Sequence, residues 1–452
     1  MKPTTLDAYK LFHEGTLALA DVETTGVRVD IPYLEAQQTK LDEQILKGEK
    51  ALWRTREARI WKAEFRDKMK FDSPTQLSTL LFKRLKYKPT RATRRGNAAV
   101  DDEVLRKIGT AFTKGLLARR KLLKVRDTYI AQFLRSNIDG VLHPSFNLHL
   151  IQTYRSSSSN PNFQNIPVRD PEQGRVIRTG VIPHRPEDSI GEIDFSGIEV
   201  RVAACYHKDP TMLEYIRDPS KDMHRDMAAE CYLLRQDQVG KKIRYLGKNG
   251  FVFPAFYGSY WEQIAPAMWR GIEEHRLITE DKIPLYQHLK NKGIDNLDAF
   301  ADHIRSVENR FWNKRFPIYA KWKRDWYARY LKTGYFDLLT GFRCQGPMRR
   351  NEVCNYPVQG VAFHCLLWSL IQIHRWLEVN EMQSRIIGQI HDSLVFNFAA
   401  GEQDAVLRKV HQVMTRDLPR AWRWIIVPMD IEAEVAPPGK SWNEKTKVEI
   451  PR

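Results

Sequence analysis

Two stretches decide the fold: Ser189–Arg201, SIGEIDFSGIEVR, and Arg385–Phe398, RIIGQIHDSLVFNF. The first reads as an apolar strand reaching Asp194, and the second as two apolar runs flanking His391, Asp392 and Ser393. Each aspartate therefore stands beside a strand that would fix its position, and strands hold ligands more accurately than loops do. Carboxylates held this way suit phosphoryl transfer, which needs strong charge neutralisation from two Mg²⁺ about 3.5–4 Å apart. By spacing alone, an aspartate at a strand end is more commonly a turn or cap residue, so the surrounding sequence has to decide.

The chain of 452 residues is long enough for two to four substructures of roughly 100–200 residues each. Lys and Arg outnumber Asp and Glu by 72 to 55, a net charge of +17 that favours a polyanionic partner, either nucleic acid or an anionic membrane surface. No run of about 18 apolar residues is present to choose the membrane. The opening MKPTTLDAYKLFHEG carries no secretory signal, so a cytoplasmic protein of a bacterium or a phage-infected host is expected. Cys205, Cys231, Cys344, Cys354 and Cys365 form no pair at metal-ligand spacing, and free thiols are expected. The abundant Trp, Tyr and Phe suit base stacking, although most such rings belong in a core.

Residues 31–70 and 101–136 read as helical by their apolar spacing. The basic loop KRLKYKPTRATRRG, ending at Gly96, lies between them. Helices rich in Arg and Lys would form an arm able to lie along a duplex backbone, releasing a counterion at each phosphate neutralised. From about 140 the pattern turns to short segments such as SSSSNPNFQNIPVRDP, followed by the strand at 189–195. Residues 206–334 return to helical sequence. GYFDLLTGFR then reads as a hairpin, a helix is expected near 357–380, and WIIVPMDIEAEV gives one more strand before KSWNE. Helices, strands, a helical insertion and strands again make an α+β chain with an interrupted sheet.

DFSGIEVR resembles the first palm motif of the DNA polymerase I family, the family A DNA polymerases, and HDS resembles its last. NPNFQNIP, preceded by Arg155, Ser157 and Ser158, is similar to the signature before the first motif. ETTGVRVD, FDSPTQLSTLLFKRL and HPSFN are similar to thumb segments, and GYFDLLTGFR, NYPVQG and GKSWNE to palm segments, all in family order. The resemblance implies a right-hand polymerase fold with an antiparallel-sheet palm, helical fingers and a helical thumb. Its parts would be a thumb with its lead-in at 1–138, palm at 139–205, fingers at 206–334 and palm again at 335–452.

Residue by residue, the resemblance implies that Asp194 and Asp392 hold two Mg²⁺, with Mn²⁺ able to substitute, assisted by the backbone carbonyl of Phe195. Glu199 would be the steric gate against the ribose 2′-hydroxyl, the group that distinguishes RNA from DNA. In RYLGKNGFVFPAFYG, Arg244 and Lys248 are four apart and share a helix face from which to grip the triphosphate, joined by His224. Asn355, Gln359 and Arg155 would test the minor groove of the nascent pair, where every base pair offers an N3 or O2 acceptor. His391 would support the primer terminus. Primer–template DNA and dNTPs are the implied partners.

Two departures stand out. The family places an aromatic residue four after the lysine and a tyrosine four beyond that, whereas here the Phe253–Tyr257 pair arrives one residue late, with Val252 in between. Either the helix is bulged or the lysine is shifted, and Pro254 would kink an α-helix. Phe253 is the expected ring under the incoming nucleotide, Phe251 its competitor, and Tyr257 the ring near the template base. The second departure is Ser393, where the family usually has Glu; altered metal tuning with retained activity is expected.

ADVETTG also resembles the first motif of DEDD-type 3′–5′ exonucleases, in which Asp21 and Glu23 would bind metals. Only 20 residues precede Asp21, fewer than a nuclease domain needs, so a strand and turn leading into the thumb is expected there. The expected protein is a polymerase without its own proofreading exonuclease, served by a separate exonuclease or processivity subunit of a replisome. The remaining alternative is a non-catalytic duplex-binding protein that has kept the fold.

Overall fold

The computed structural model describes residues 3–93, 96–167 and 171–451. Arg94 and Arg95 of the expected basic loop and Val168–Asp170 of the segment before the first strand lie outside the described residues. At the centre is a five-stranded antiparallel sheet of β1 (Ser189–Phe195), β2 (Arg385–Ile390), β3 (Ser393–Phe398), β4 (Ile431–Val435) and β5 (Thr446–Val448), in the order β5-β4-β1-β3-β2. The strand read from SIGEIDF thus takes the middle position, and RIIGQIHDSLVFNF forms the hairpin beside it. In β1, Ile193 and Phe195 join the largest core, whereas Ile190 joins a second core with Ile387, Val395 and Trp442. Alternate residues face opposite sides of a strand, so Glu192 and Asp194 share the face of Ile190.

The largest core is built on a 30-residue helix, Arg350–Val379, which starts seven residues before the expected position. Pro357 inside it lacks the N–H that would reach the Val353 carbonyl, and the Trp326 indole donates to that carbonyl instead at 3.1 Å. The WIIVPMDIEAEV segment is extended as a strand only at Ile431–Val435.

The N-terminal segment differs from expectation. ADVETT is the last turn of a helix, Thr5–Thr25, started by a capping box between Thr4 and Asp7; the strand comes only after it, as Val27–Arg28, which follows Gly26 at φ 69° and pairs with Val141–Leu142. Its buried Ala8, Leu11, Ala18, Leu19 and Val22 belong to the largest core. The helical arm follows, but the expected helix at 31–70 is divided: Ile31–Trp53 stops at Arg54, and Thr55 caps a second helix, Arg56–Phe65. Residues 101–136 break at Gly109, which is left-handed with φ 68°. Trp61, Leu77, Leu105, Phe112 and Leu116 give the arm a separate core. Helices Met223–Tyr232, Trp261–Glu274, Leu297–Arg310 and Pro317–Thr333, with shorter ones between them, make up most of the insertion between β1 and the sheet's return, and GYFDLLTGFR is the hairpin Tyr335–Asp337 with Arg343–Gln345. Among the described residues, all five cysteines are free and buried, and no helix is long and apolar enough to cross a membrane.

Candidate active site

The two aspartates meet at one end of the sheet. Asp194 is the penultimate residue of β1, and Asp392 lies in the two-residue turn between β2 and β3. That turn needs a positive φ at its first position, and His391 supplies it at φ 53°. The turn is tied down from both sides: Gln389 Nε2 donates to the His391 carbonyl at 2.7 Å, and the Phe195 amide donates to the Asp392 carbonyl at 3.3 Å. Gln389 is itself held in a buried network, its Oε1 accepting from Ser156 Oγ at 2.6 Å and Gln164 Nε2 at 2.5 Å. NPNFQNIP therefore reaches the aspartates through Gln164.

Burial raises the Asp194 carboxyl above its ordinary range, and repulsion from Asp392, Glu192 and Glu432 raises it further. Asp392 is raised in the same way, by burial and then by Glu199. Asp194 Oδ1 is buried without a hydrogen-bond partner among the described residues. Two half-buried carboxylates that repel each other, one with an orphaned oxygen, form a hard-oxygen donor set of the kind Mg²⁺ takes. The residues fit a divalent ion.

A cleft of about 420 Å³ opens beside Asp392. Eight residues singled out in the sequence line it: Arg155, Glu199, Phe253, Tyr257, Asn355, Gln359, His391 and Asp392. The Tyr257 hydroxyl donates to Glu199 Oε2, Arg155 Nη2 lies 3.6 Å from Glu199 Oε1, and Asn355 Nδ2 donates to the Tyr257 carbonyl at 3.0 Å. Arg244, Lys248 and His224 do not line the cleft. Lys248 Nζ sits 5.1 Å from the centre of the Phe253 ring, which also meets His224 edge-on at 5.7 Å and Tyr257 at 6.4 Å. Arg244 Nε donates to Asp222 at 2.6 Å. Burial, with Lys248 and Arg244 nearby, lowers His224 to about 4, so its ring is neutral at pH 7.

The late aromatic pair has a local cause. Residues Gly247–Val252 form a π-helical turn, closed by the Phe253 amide on the Lys248 carbonyl. Such a turn accommodates one extra residue, so the helix is bulged between Lys248 and Phe253. The bulge presses against helix Met223–Tyr232: a Cβ on Gly247 would stand 2.7 Å from the Ala228 Cβ, which is why glycine occupies that position. Phe251 turns inward, fully buried against Phe311, while Phe253 faces the cleft. The helix ends at Phe256, Gly258 follows with φ 92°, and Lys323 Nζ donates to the Phe256 carbonyl at 2.9 Å.

Asp21 and Glu23 do not form an exonuclease site. Two residues apart on a helix, they point to different sides: Asp21 faces His374 at 3.2 Å, while Glu23 accepts from the Phe146 amide at 2.5 Å. Sequence reasoning also passed over Glu192. Ser393 Oγ donates to it at 2.8 Å, and Lys445 and Trp442 hold its other oxygen. Burial opposes its ionisation, but Lys445 and Ser393 outweigh burial and keep it charged.

A central antiparallel sheet carrying paired aspartates, flanked by a helical arm and a helical insertion that walls the cleft, defines the right-hand polymerase class. A profile of DNA polymerase family A matches residues 32–444, and the chain belongs to that family. A DNA polymerase of Bacillus phage SP01 is 26% identical over 88% of this chain and 46% of its own length. DNA polymerase I of Geobacillus stearothermophilus is 28% identical over 93% of this chain and 44% of its own. The chain thus spans about half the length of the curated relatives it matches. Among solved structures, the POL domain of Pol1 from M. smegmatis, in complex with DNA primer-template and dNTP, superposes with a TM-score of 0.76 at 24% identity. The superposition covers 95% of this chain and 70% of that one.

Proposed function

We propose that this chain is a template-directed DNA polymerase that adds dNTPs to a primer 3′-hydroxyl. The observation that carries the reading is the single cleft uniting Asp392 with Glu199, Tyr257, Phe253, Asn355, Gln359 and Arg155. Asp194, Asp392 and the Phe195 carbonyl would hold two divalent ions, Mg²⁺ or Mn²⁺. When bound, these supply charge stabilisation to the attacking and leaving oxygens of an in-line displacement. Glu199, braced by the Tyr257 hydroxyl, closes the cleft where a ribose 2′-hydroxyl would enter. Phe253 offers its ring to the incoming base, and Lys248 stands over that ring as the cation for the triphosphate, with Arg244 available once it leaves Asp222. His224, neutral, donates or accepts without adding charge. Asn355, Gln359 and Arg155 face the nascent pair, and His391 stands at the primer terminus beside Asp392.

The net charge of +17 suits a duplex partner, and the proposed parts are thumb 1–138, palm 139–205 and 335–452, and fingers 206–334. Residues 5–25, though counted with the thumb, pack in the same core as the sheet. Primer extension with labelled primer–template, Mg²⁺ and either dNTPs or rNTPs tests the reading. Extension directed by the template with dNTPs is expected, and no extension would refute it. A non-catalytic duplex binder would bind the same DNA and extend nothing.

A further inference from the structure

Ser393, next to Asp392, is bonded to a carboxylate on the neighbouring strand. Pairing of β1 with β3 sets Ser393 opposite Asp194 and Val395 opposite Glu192, and residues two apart on a strand share a face. Glu192, Asp194 and Ser393 therefore lie together on one face of the sheet. Ser393 Oγ has acceptors in Glu192 Oε1 at 2.8 Å and the Ile390 carbonyl at 3.0 Å. It has one proton to give, and the carboxylate is the stronger acceptor. Glu192 Oε2 accepts from Trp442 Nε1 at 3.2 Å and from Lys445 Nζ, which also reaches Glu434 at 2.7 Å.

We propose that Glu192 is a positioning residue for the aspartate pair, acting from β1 through Ser393, the residue paired with Asp194. The inference rests on the metal-dependent polymerase reading above. A hydroxyl whose proton is committed to Glu192 offers only lone pairs to its other neighbours, so Ser393 becomes an acceptor beside Asp194. Mg²⁺ keeps several of its waters when bound by carboxylates, and acceptors behind the ligands orient such a shell. Lys445 offsets the charge that Glu192 would otherwise add to two carboxylates that already repel each other. If Glu192 served only to tie the C-terminal strand to β1, its contacts with Lys445 and Trp442 would be enough, and a link to the residue opposite Asp194 would have no purpose.

The test measures metal binding without turnover. Mn²⁺ is titrated, with detection by electron paramagnetic resonance, into the full chain bound to template, dideoxy-terminated primer and the matching dNTP; melting in EDTA reports folding. Wild type is compared first with Asp194→Asn, and absence of an Asp194-dependent ion overturns the metal reading together with this inference. Given that ion, S393A and E192A are each expected to weaken Mn²⁺ binding about tenfold, the low end for residues behind metal ligands, and the double variant no further than the weaker single one. E192A/S393E, which moves the carboxylate to β3, is expected to recover most of the loss. Binding within about twofold of wild type in S393A and E192A overturns the inference alone, as does a failure of the S393E exchange to rescue a variant that melts like wild type. S393A leaves the Glu192–Lys445 pair intact, so it reports even if E192A folds poorly.

Discussion

Tyr257→Phe removes one hydroxyl from the cleft and leaves the ring contacts in place. That neutral hydroxyl donates to Glu199 Oε2, and a cationic neighbour, Arg155, is 3.6 Å from Oε1, a longer and weaker contact. A hydrogen bond to a charged acceptor contributes about 1.5–3 kcal/mol, so without it the carboxylate can leave its position at a cost lower by that amount. At about 1.4 kcal/mol per factor of ten, discrimination against ribonucleotides should fall about 10- to 150-fold. The assay is single-nucleotide insertion opposite one template base, comparing kcat/KM for the dNTP and the rNTP. Wild type, Y257F, E199A and the double variant are measured side by side. Because the hydroxyl acts through the glutamate, the double variant should discriminate as E199A does, within about twofold. Wild-type discrimination in Y257F, or a double variant clearly worse than E199A, would refute the reasoning.

Phe251 and Phe253 should separate stability from binding. Phe251→Ala empties a fully buried site and should cost about 3–5 kcal/mol, read as a lower melting temperature, whereas Phe253→Ala should raise KM for the dNTP with little change in melting. His364 is fully buried, with Nε2 near the Tyr154 carbonyl and Nδ1 near Thr340 Oγ1, and burial lowers it to about 3. In the unfolded chain it titrates near 6.5, so between those values the unfolded state binds more protons. Its contribution is complete above pH 6.5 and is lost as the pH falls through 3, with about 2 kcal/mol gone by pH 5. Denaturant melts at pH 7 and pH 5 should show that loss, and His364→Gln should flatten it. Finally, a 3′-labelled primer incubated with Mg²⁺ and no nucleotide should not shorten, and Asp21→Ala should leave extension unchanged; Asp21-dependent degradation would revive the nuclease.

Much of the site could be read from the sequence because its residues sit on the strands and helices that bear the motifs. Asp194 and Asp392 stand at strand ends, where an aspartate is commonly a turn residue, and the resemblance of DFSGIEVR and HDS to family motifs singled them out; Asn355 and Gln359 were singled out in the same way by NYPVQG. The bulge at Gly247–Val252 was visible only as a register conflict. A π-turn leaves no periodic mark of its own, and only packing against Ala228 and Phe311 decides which ring turns inward. The N-terminal helix carried its start signal at Thr4 and Asp7 and helically spaced apolar residues after it, but the likeness of ADVETTG to other motifs drew attention to its last turn. Glu192 was hidden for a different reason: its partners Ser393, Trp442 and Lys445 lie some 200 to 250 residues away, and strand register alone brings them together.

In the proposed function, Asp194 and Asp392 carry the chemistry of templated nucleotide addition. The most direct measurement is single-turnover extension of a primer by one nucleotide, with DNA affinity measured in parallel by fluorescence anisotropy, for wild type, Asp194→Asn and Asp392→Asn. Wild type should add the nucleotide specified by the template. Each variant should lose at least about 10³-fold in rate, the several kcal/mol expected of the ions, while binding DNA as tightly as wild type or more so. Extension at a wild-type rate by either variant, or addition that ignores the template, would contradict the account.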